Sequence, residues 1–170
     1  NFITNGENFQ FADDSASKFA HKNPYNLIQI VNENLENIRK YCYNNHLFLN
    51  ESKCKVMILN NKGNFDFNGA FKIGSETLEI VTEYKYLGFL IDDKLMFKSQ
   101  VNLINNKILA CNSILNRTSY FFNKQTMILI YKSLIVPYII YYKSVLLKVS
   151  KSLKNKLQNT LYHTEAILNN

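Results

Sequence analysis

The sequence predicts an α+β protein made of two unlike parts, a strand-and-helix lobe over residues 1–93 and an all-helical lobe over residues 94–170. Three observations predict it. The apolar residues change period after Asp92-Asp93, from short runs bounded by turn residues to spacings of three and four. The charge divides at the same place: residues 1–93 carry 9 Lys+Arg and 12 Asp+Glu, net −3, whereas residues 94–170 carry 11 Lys+Arg and one acid, Glu165, net +10. Finally, 46% hydrophobic and 19% charged residues in a chain of 170 provide for a packed core and exclude a highly charged or low-complexity disordered chain.

The elements follow in order. Phe9, Phe11 and residues 15–19 flank Asp13-Asp14, so two short strands are expected around an acidic turn, with the alternating aromatics on a half-buried face. Pro24 opens a helix whose stripe is Leu27, Val31, Leu35, Ile38 and Cys42, closed by Asn44-Asn45. Residues 47–50 lead into a strand at 55–59, and residues 60–63 are turn chemistry. A strand pair is expected at 70–73 and 77–81 around Gly74-Ser75, then one strand at 84–91 with Gly88 inside it. Beyond it, Phe97, Val101, Ile104, Ile108, Cys111 and Leu115 form a helical stripe. Residues 126–147 predict a second helix bent or broken at Pro137, and residues 149–168 a third. Tyr120, Phe121, Tyr138, Tyr141 and Tyr142 are expected in the core of this lobe.

Other chemistries are disfavoured. Cys42, Cys54 and Cys111 are odd in number and lie outside any C-x-x-C pattern, which argues against a disulfide framework or zinc site and for a reducing compartment. An intracellular location, cytoplasm or nucleus, is therefore expected. His21, His46 and His163 lack metal-ligand spacing. The sequons at Asn50 and Asn116 are expected from chance in an Asn-rich chain. Residues 127–149 are apolar but interrupted by Lys132, Pro137, Lys143 and Lys148, so a buried helix is expected and no membrane partner. No G-x-G-x-x-G or P-loop appears. The first residue is Asn1 and no signal peptide follows it, so the chain is expected to be a piece of a longer polypeptide.

The +10 of the second lobe points to an anionic partner, nucleic acid or a membrane surface. In the first lobe, adjacent aspartates on a hairpin tip suit a divalent cation that prefers oxygen ligands. Turn geometry alone also selects Asp, so both readings stay open at this point.

A resemblance joins these features. Phe9-Gln10-Phe11-Ala12-Asp13-Asp14-Ser15-Ala16 resembles the Y/F-A-D-D-T/S-A motif of reverse transcriptases, the motif C hairpin of the palm. Leu47-Phe48-Leu49-Asn50-Glu51-Ser52-Lys53-Cys54-Lys55-Val56-Met57 resembles motif D of the non-LTR retrotransposon enzymes. Tyr84-Lys85-Tyr86-Leu87-Gly88-Phe89-Leu90-Ile91-Asp92 resembles their Y-K-Y-L-G-V-x-I-D element, the primer-grip region. Tyr131-Lys132-Ser133-Leu134-Ile135-Val136-Pro137-Tyr138 is similar to the Y-x-S-L-I-x-P-Y stretch of the following thumb. The four matches occur in the family's order.

The resemblance implies a fold: the C-terminal part of a polymerase palm, antiparallel strands with a helix, followed by an all-helical thumb. It implies an activity in the parent protein, RNA-directed DNA synthesis by nucleotidyl transfer with two Mg²⁺ ions, on an RNA template and DNA primer or an RNA/DNA hybrid with dNTPs. Asp13 and Asp14 would then be catalytic metal ligands, and Lys53 would act on the pyrophosphate leaving group. Lys53 also reads as a solvated strand-end lysine. Tyr86, Leu87 and Gly88 would form the primer grip. Lys143, Lys148, Lys151, Lys154 and Lys156 would meet the nucleic-acid backbone.

Departures from the family pattern are equally specific. Phe11 replaces the commoner tyrosine, and Tyr142 stands where the family usually has glycine. The upstream motif A, with its own metal-binding aspartate, and the glycine-rich motif B are not in this chain, so the chain by itself is expected to be inactive. The alternative from a different class is a non-catalytic, polymerase-derived module that binds nucleic acid or protein.

Overall fold

The computed structural model describes residues 6–59 and 69–169. It is a mixed structure of helices and small two-stranded sheets, in keeping with an α+β class. Two units divide between Glu83 and Tyr84, earlier than the 93/94 boundary expected from charge. The reason is local. Residues 84–92 form a hairpin in which Phe89 packs on the helices that follow it, so packing assigns it to the second unit although the charge changes only after Asp93.

In the first unit, β1 (Gly6–Phe11) and β2 (Asp14–Phe19) pair antiparallel from Gly6↔Phe19 to Phe11↔Asp14. Only Ala12 and Asp13 remain to make the turn, and Ala12 takes a left-handed φ of +52°. Helix α1 (Pro24–Asn44) starts where expected: Asn23 is extended, and its side-chain oxygen accepts from the Tyr25 N–H while Pro24 fills the first turn. A 3-10 turn at Glu51–Lys53 precedes β3 (Lys55–Val56). Next come β4 (Lys72–Ile73), β5 (Glu76–Thr77) and β6 (Glu79–Ile80). The β4–β5 turn is Gly74-Ser75, with Gly74 at φ +59°. The pairing of β3 with β6 is parallel, Lys55↔Glu79 and Val56↔Ile80, and a Lys55–Glu79 ion pair at 2.8 Å lies across it.

The core of this unit is Val31, Phe71, Ile73 and Leu78, surrounded by Phe19, Leu27, Ile28, Leu35, Leu49, Cys54, Val56 and Ile58. Burying each large aliphatic side chain contributes about 1.5–3 kcal/mol. Asn32 fixes α1 to the sheet: its amide donates to the Ala70 carbonyl at 3.1 Å, and its oxygen accepts from the Lys72 N–H at 2.8 Å. Of the expected α1 stripe, Leu27, Val31 and Leu35 face this core, while Ile38 and Cys42 are half-buried outside it. The turn expected at residues 60–63 lies outside the described residues.

The second unit begins within β7 (Glu83–Tyr86), which forms a two-stranded sheet with β8 (Phe89–Asp92). This corrects the single strand expected over residues 84–91. Leu87 and Gly88 both have positive φ, +46° and +83°, the signature of a tight hairpin turn. Helix α2 (Lys98–Thr118) buries Val101, Ile104, Ile108 and Leu115 completely, as its spacing predicts. The expected second helix is three segments, α3 (Lys124–Leu134), α4 (Val136–Tyr141) and α5 (Lys143–Leu146). Its first break is at Ile135, because Pro137 has no N–H to continue the ladder and fits a new helix's first turn. Helix α6 (Lys151–Asn169) then packs along α2.

The α2–α6 seam carries polar groups inside it. The Thr160 hydroxyl donates to the Asn105 side-chain oxygen at 2.6 Å and the Thr164 hydroxyl to that of Asn112 at 2.8 Å, all four residues being buried. Satisfied buried pairs of this kind cost little in place but are expensive out of register, so they fix how the two helices slide. No described helix is long and apolar enough to cross a membrane.

Candidate functional site

The acidic tip is built by register. Because Phe11 pairs directly with Asp14, the connection has only two residues, and both carboxylates are carried at the outermost point of the hairpin. Asp13 and Asp14 are exposed. Among the described residues, neither carboxylate forms an ion pair, and no group of three or more His, Cys, Asp or Glu side chains converges to hold a metal ion. Two neighbouring carboxylates are suitable oxygen donors for Mg²⁺, but they fall short of the donor set that clamps two ions. The described residues therefore do not by themselves fit the metal pair that the resemblance implies.

The strand that carries the tip differs from expectation. Phe9 and Phe11 are 51% and 67% exposed, not half-buried, and every residue of β1 is exposed. In the antiparallel register, Phe9, Phe11 and Ala16 share one face with Asp14, leaving an apolar strip beside the carboxylates. Of the hairpin's aromatic rings, only Phe19 joins the core of the unit.

Lys53 ends the 3-10 turn with an exposed side chain, and no ion pair joins it to Asp13 or Asp14. Nearby, burial pushes the Cys54 thiol above its ordinary value, reinforced by the Glu51 carboxylate.

The other predicted cluster lies in the second unit. Tyr86, Leu87 and Gly88 are half-buried at the β7–β8 turn, and the turn is clamped. The Tyr141 hydroxyl donates to the Leu87 carbonyl at 2.6 Å, and the Tyr142 hydroxyl donates to the Gly88 carbonyl at 3.1 Å. Phe89 completes the clamp: its ring is 5.1 Å from that of Tyr141 and 5.0 Å, edge-on, from that of Tyr142. Two consecutive tyrosines reach adjacent carbonyls because α4 ends between them and its axis breaks at Tyr142. A Cβ at Gly88 would sit 3.6–3.7 Å from the Tyr141 and Tyr142 rings, ordinary contact, so backbone conformation rather than space selects glycine.

Asp92 closes the hairpin's far end. One of its oxygens accepts from the Lys94 and Met96 N–H groups at 3.2 and 3.0 Å, and the other from the Phe97 N–H at 2.6 Å. The loop it organises contains two left-handed non-glycine residues, Leu95 at φ +53° and Phe97 at φ +55°. Sequence reasoning missed this role. The signal available was the position of an Asp a few residues before a helix, where side-chain oxygens commonly satisfy free N–H groups.

All five predicted basic contacts, Lys143, Lys148, Lys151, Lys154 and Lys156, are exposed. They do not form one stripe. Lys151 and Lys154 share a face of α6, and Lys156 lies about 140° further round from Lys151. Two are engaged within the unit: Lys154 donates to the Leu147 carbonyl at 2.7 Å and Lys156 to the Asn102 side chain at 2.8 Å. Residues 84–170 hold 12 Lys+Arg and 3 acids, net +9, and no ion pair forms among the described residues of this unit. Its positive charge is thus left to an external anion or to solvent. Lys107, on α2, donates to the Tyr138 hydroxyl at 3.1 Å, which raises its pKa, and it stands 4.9 Å over the same ring.

The aromatics expected in the core divide. Tyr142 is buried and Tyr138 half-buried, but Tyr141 is 54% exposed, and Tyr120 and Phe121 are 93% and 82% exposed at the α2–α3 loop. No family model matches this chain, and neither a curated protein nor a solved structure matches it.

Proposed function

We propose that this chain is the C-terminal palm and thumb of a reverse transcriptase of non-LTR retrotransposon type. In this reading the parent protein performs RNA-directed DNA synthesis, taking an RNA template, a DNA primer and dNTPs. The observation that carries the reading is the acidic hairpin. The string Phe11-Ala12-Asp13-Asp14 forms a two-residue turn that presents both carboxylates to solvent, with no ion pair to them among the described residues, which leaves their oxygens open to a cation. The net charge of +9 on residues 84–170, with no ion pair among the described residues of the unit, suits a unit that tracks phosphates.

The division of labour follows from chemistry. Asp13 and Asp14 supply part of a Mg²⁺ ligand set, whose remaining carboxylate comes from outside the described residues. Lys53 supplies positive charge toward the leaving group, and Tyr86, Leu87 and Gly88 shape the primer side. The lysines of α5 and α6 add sequence-independent, salt-sensitive affinity.

Primer extension tests this directly. The 170-residue chain alone is expected to incorporate no dNTP, and measurable extension by it would overturn the assignment as an incomplete enzyme. Co-expression with the polypeptide encoded immediately upstream is expected to restore extension, and Asp13→Asn is expected to abolish it again. Retained nucleic-acid binding without extension in the complemented protein favours the non-catalytic module instead.

A further inference from the structure

The geometry points to the α2–α3 loop, residues 119–123, as a stacking platform for the bases of single-stranded nucleic acid. Tyr120, Phe121 and Phe122 are consecutive, and their exposures are 93%, 82% and 45%. Three adjacent aromatic rings left in water cost free energy that a soluble fold ordinarily recovers by burying them. They are held there by a rigid tip. The Phe121 and Phe122 N–H groups donate to the Thr118 carbonyl at 2.9 and 3.2 Å, and Asn123 caps α3 through the Thr126 N–H at 2.9 Å. A fixed tip loses little conformational freedom when a ligand stacks on it.

Charge identifies the ligand. Arg117 precedes the rings and Lys124 follows them; they donate to the neutral Ser113 carbonyl and Asn169 side chain, and neither forms an ion pair among the described residues. The only acid after Asp93 is Glu165. Exposed rings between unneutralised cations match a strand that offers flat bases and a phosphate backbone together. An anionic membrane also offers negative charge, but the rings are flanked on both sides by polar residues, Asn116 and Ser119 before them and Asn123 and Gln125 after. Burying those side chains among acyl chains is unfavourable, whereas beside bases they find hydrogen-bond partners. The inference stands on exposure and charge and does not need the polymerase assignment.

The experiment uses the full chain and fluorescence anisotropy of a labelled oligothymidylate at moderate salt. Replacing both rings (Tyr120→Ala with Phe121→Ala) is expected to weaken binding about tenfold or more, while Tyr120→Phe stays within about twofold because it keeps the ring. Since both side chains project into solvent, folding is expected to be unchanged, with far-UV circular dichroism as the check. Duplex DNA, whose bases are already stacked, is expected to bind the double variant almost as well as the parent chain. The inference is overturned if the double variant binds oligothymidylate like the parent, if duplex binding falls equally, or if the rings matter only for phosphatidylserine vesicles. A complemented protein that never extends a primer, yet loses single-strand binding with these rings, removes the polymerase reading and leaves this one intact.

Discussion

Two of the tight hairpins among the described residues treat their tips in opposite ways. At Ala12-Asp13 the tip is open: β1 is wholly exposed, the carboxylates form no ion pair among the described residues, and one face carries Phe9 and Phe11 into solvent. At Leu87-Gly88 both turn carbonyls accept tyrosine hydroxyls, a phenylalanine packs against the same tyrosines, and Asp92 ties down the exit. Both turns put a non-glycine residue into left-handed φ, at Ala12 and Leu87. The second recovers that strain through long-range contacts, and the first has no such support. A tip that serves the fold is tied to it; a tip left untied while carrying two charges is a candidate for work on something outside the fold.

The clamp predicts where the largest loss occurs. Asp92→Ala removes the acceptor of three N–H groups and leaves Leu95 and Phe97 in left-handed conformations without support. A destabilisation of about 2–3 kcal/mol is expected, read from the urea midpoint. A shift below about 0.5 kcal/mol would mean that this hairpin is no better anchored than the acidic one. Tyr142→Phe is expected to cost about 1 kcal/mol, because the buried ring stays and one hydrogen bond goes. Tyr141→Phe should cost less, since half of that side chain is already hydrated. Faster amide exchange at residues 87–90 in either variant would place the loss at the turn.

How far these features were legible depends on the range of the forces behind them. The α2 stripe, the start of α1 at Pro24 and the Gly74-Ser75 turn are written within a few residues, and the local pattern places them correctly. The break near Pro137 is local as well, since a missing N–H acts at its own position. The β7–β8 hairpin was read as one strand because Leu87 is not a turn residue. Its left-handed φ is held by a hydroxyl 54 positions away, which no local pattern announces. Phe9, Phe11, Tyr120 and Phe121 failed for the converse reason: aromatic spacing indicates a face but not whether anything covers it. The candidate site divides in the same way. The position of Asp13-Asp14 on a turn was legible from adjacent residues, whereas a converging third ligand is a matter of tertiary placement.

The turn conformations give a matched pair of smaller effects with opposite signs. Gly88→Ala forces a side chain into φ +83° without a steric clash, so about 1 kcal/mol of destabilisation is expected. Ala12→Gly relieves φ +52° at the open tip and is expected to stabilise by up to about 1 kcal/mol, reduced by the greater freedom of glycine in the unfolded chain. Equal and opposite shifts in thermal midpoint would show that a Cβ in left-handed φ costs about the same at the open tip and at the clamped one.

The smallest expected effect on folding is at the acidic tip itself. Asp13→Asn and Asp14→Asn remove charges that are exposed and form no ion pair, so stability should move by less than about 0.5 kcal/mol in either direction. A structural Asp-Asp turn makes a different forecast. There the side-chain oxygens matter to the turn but their charge does not, so both Asn variants should fold and also behave normally in every binding or extension assay. A functional tip should fold equally well and lose extension in the complemented protein. The pair of measurements, unfolding midpoint and extension, therefore separates the two readings where either alone does not. A large fall in stability for Asp13→Asn would erase the contrast between the hairpins, because it would show that the open tip is tied to the fold after all.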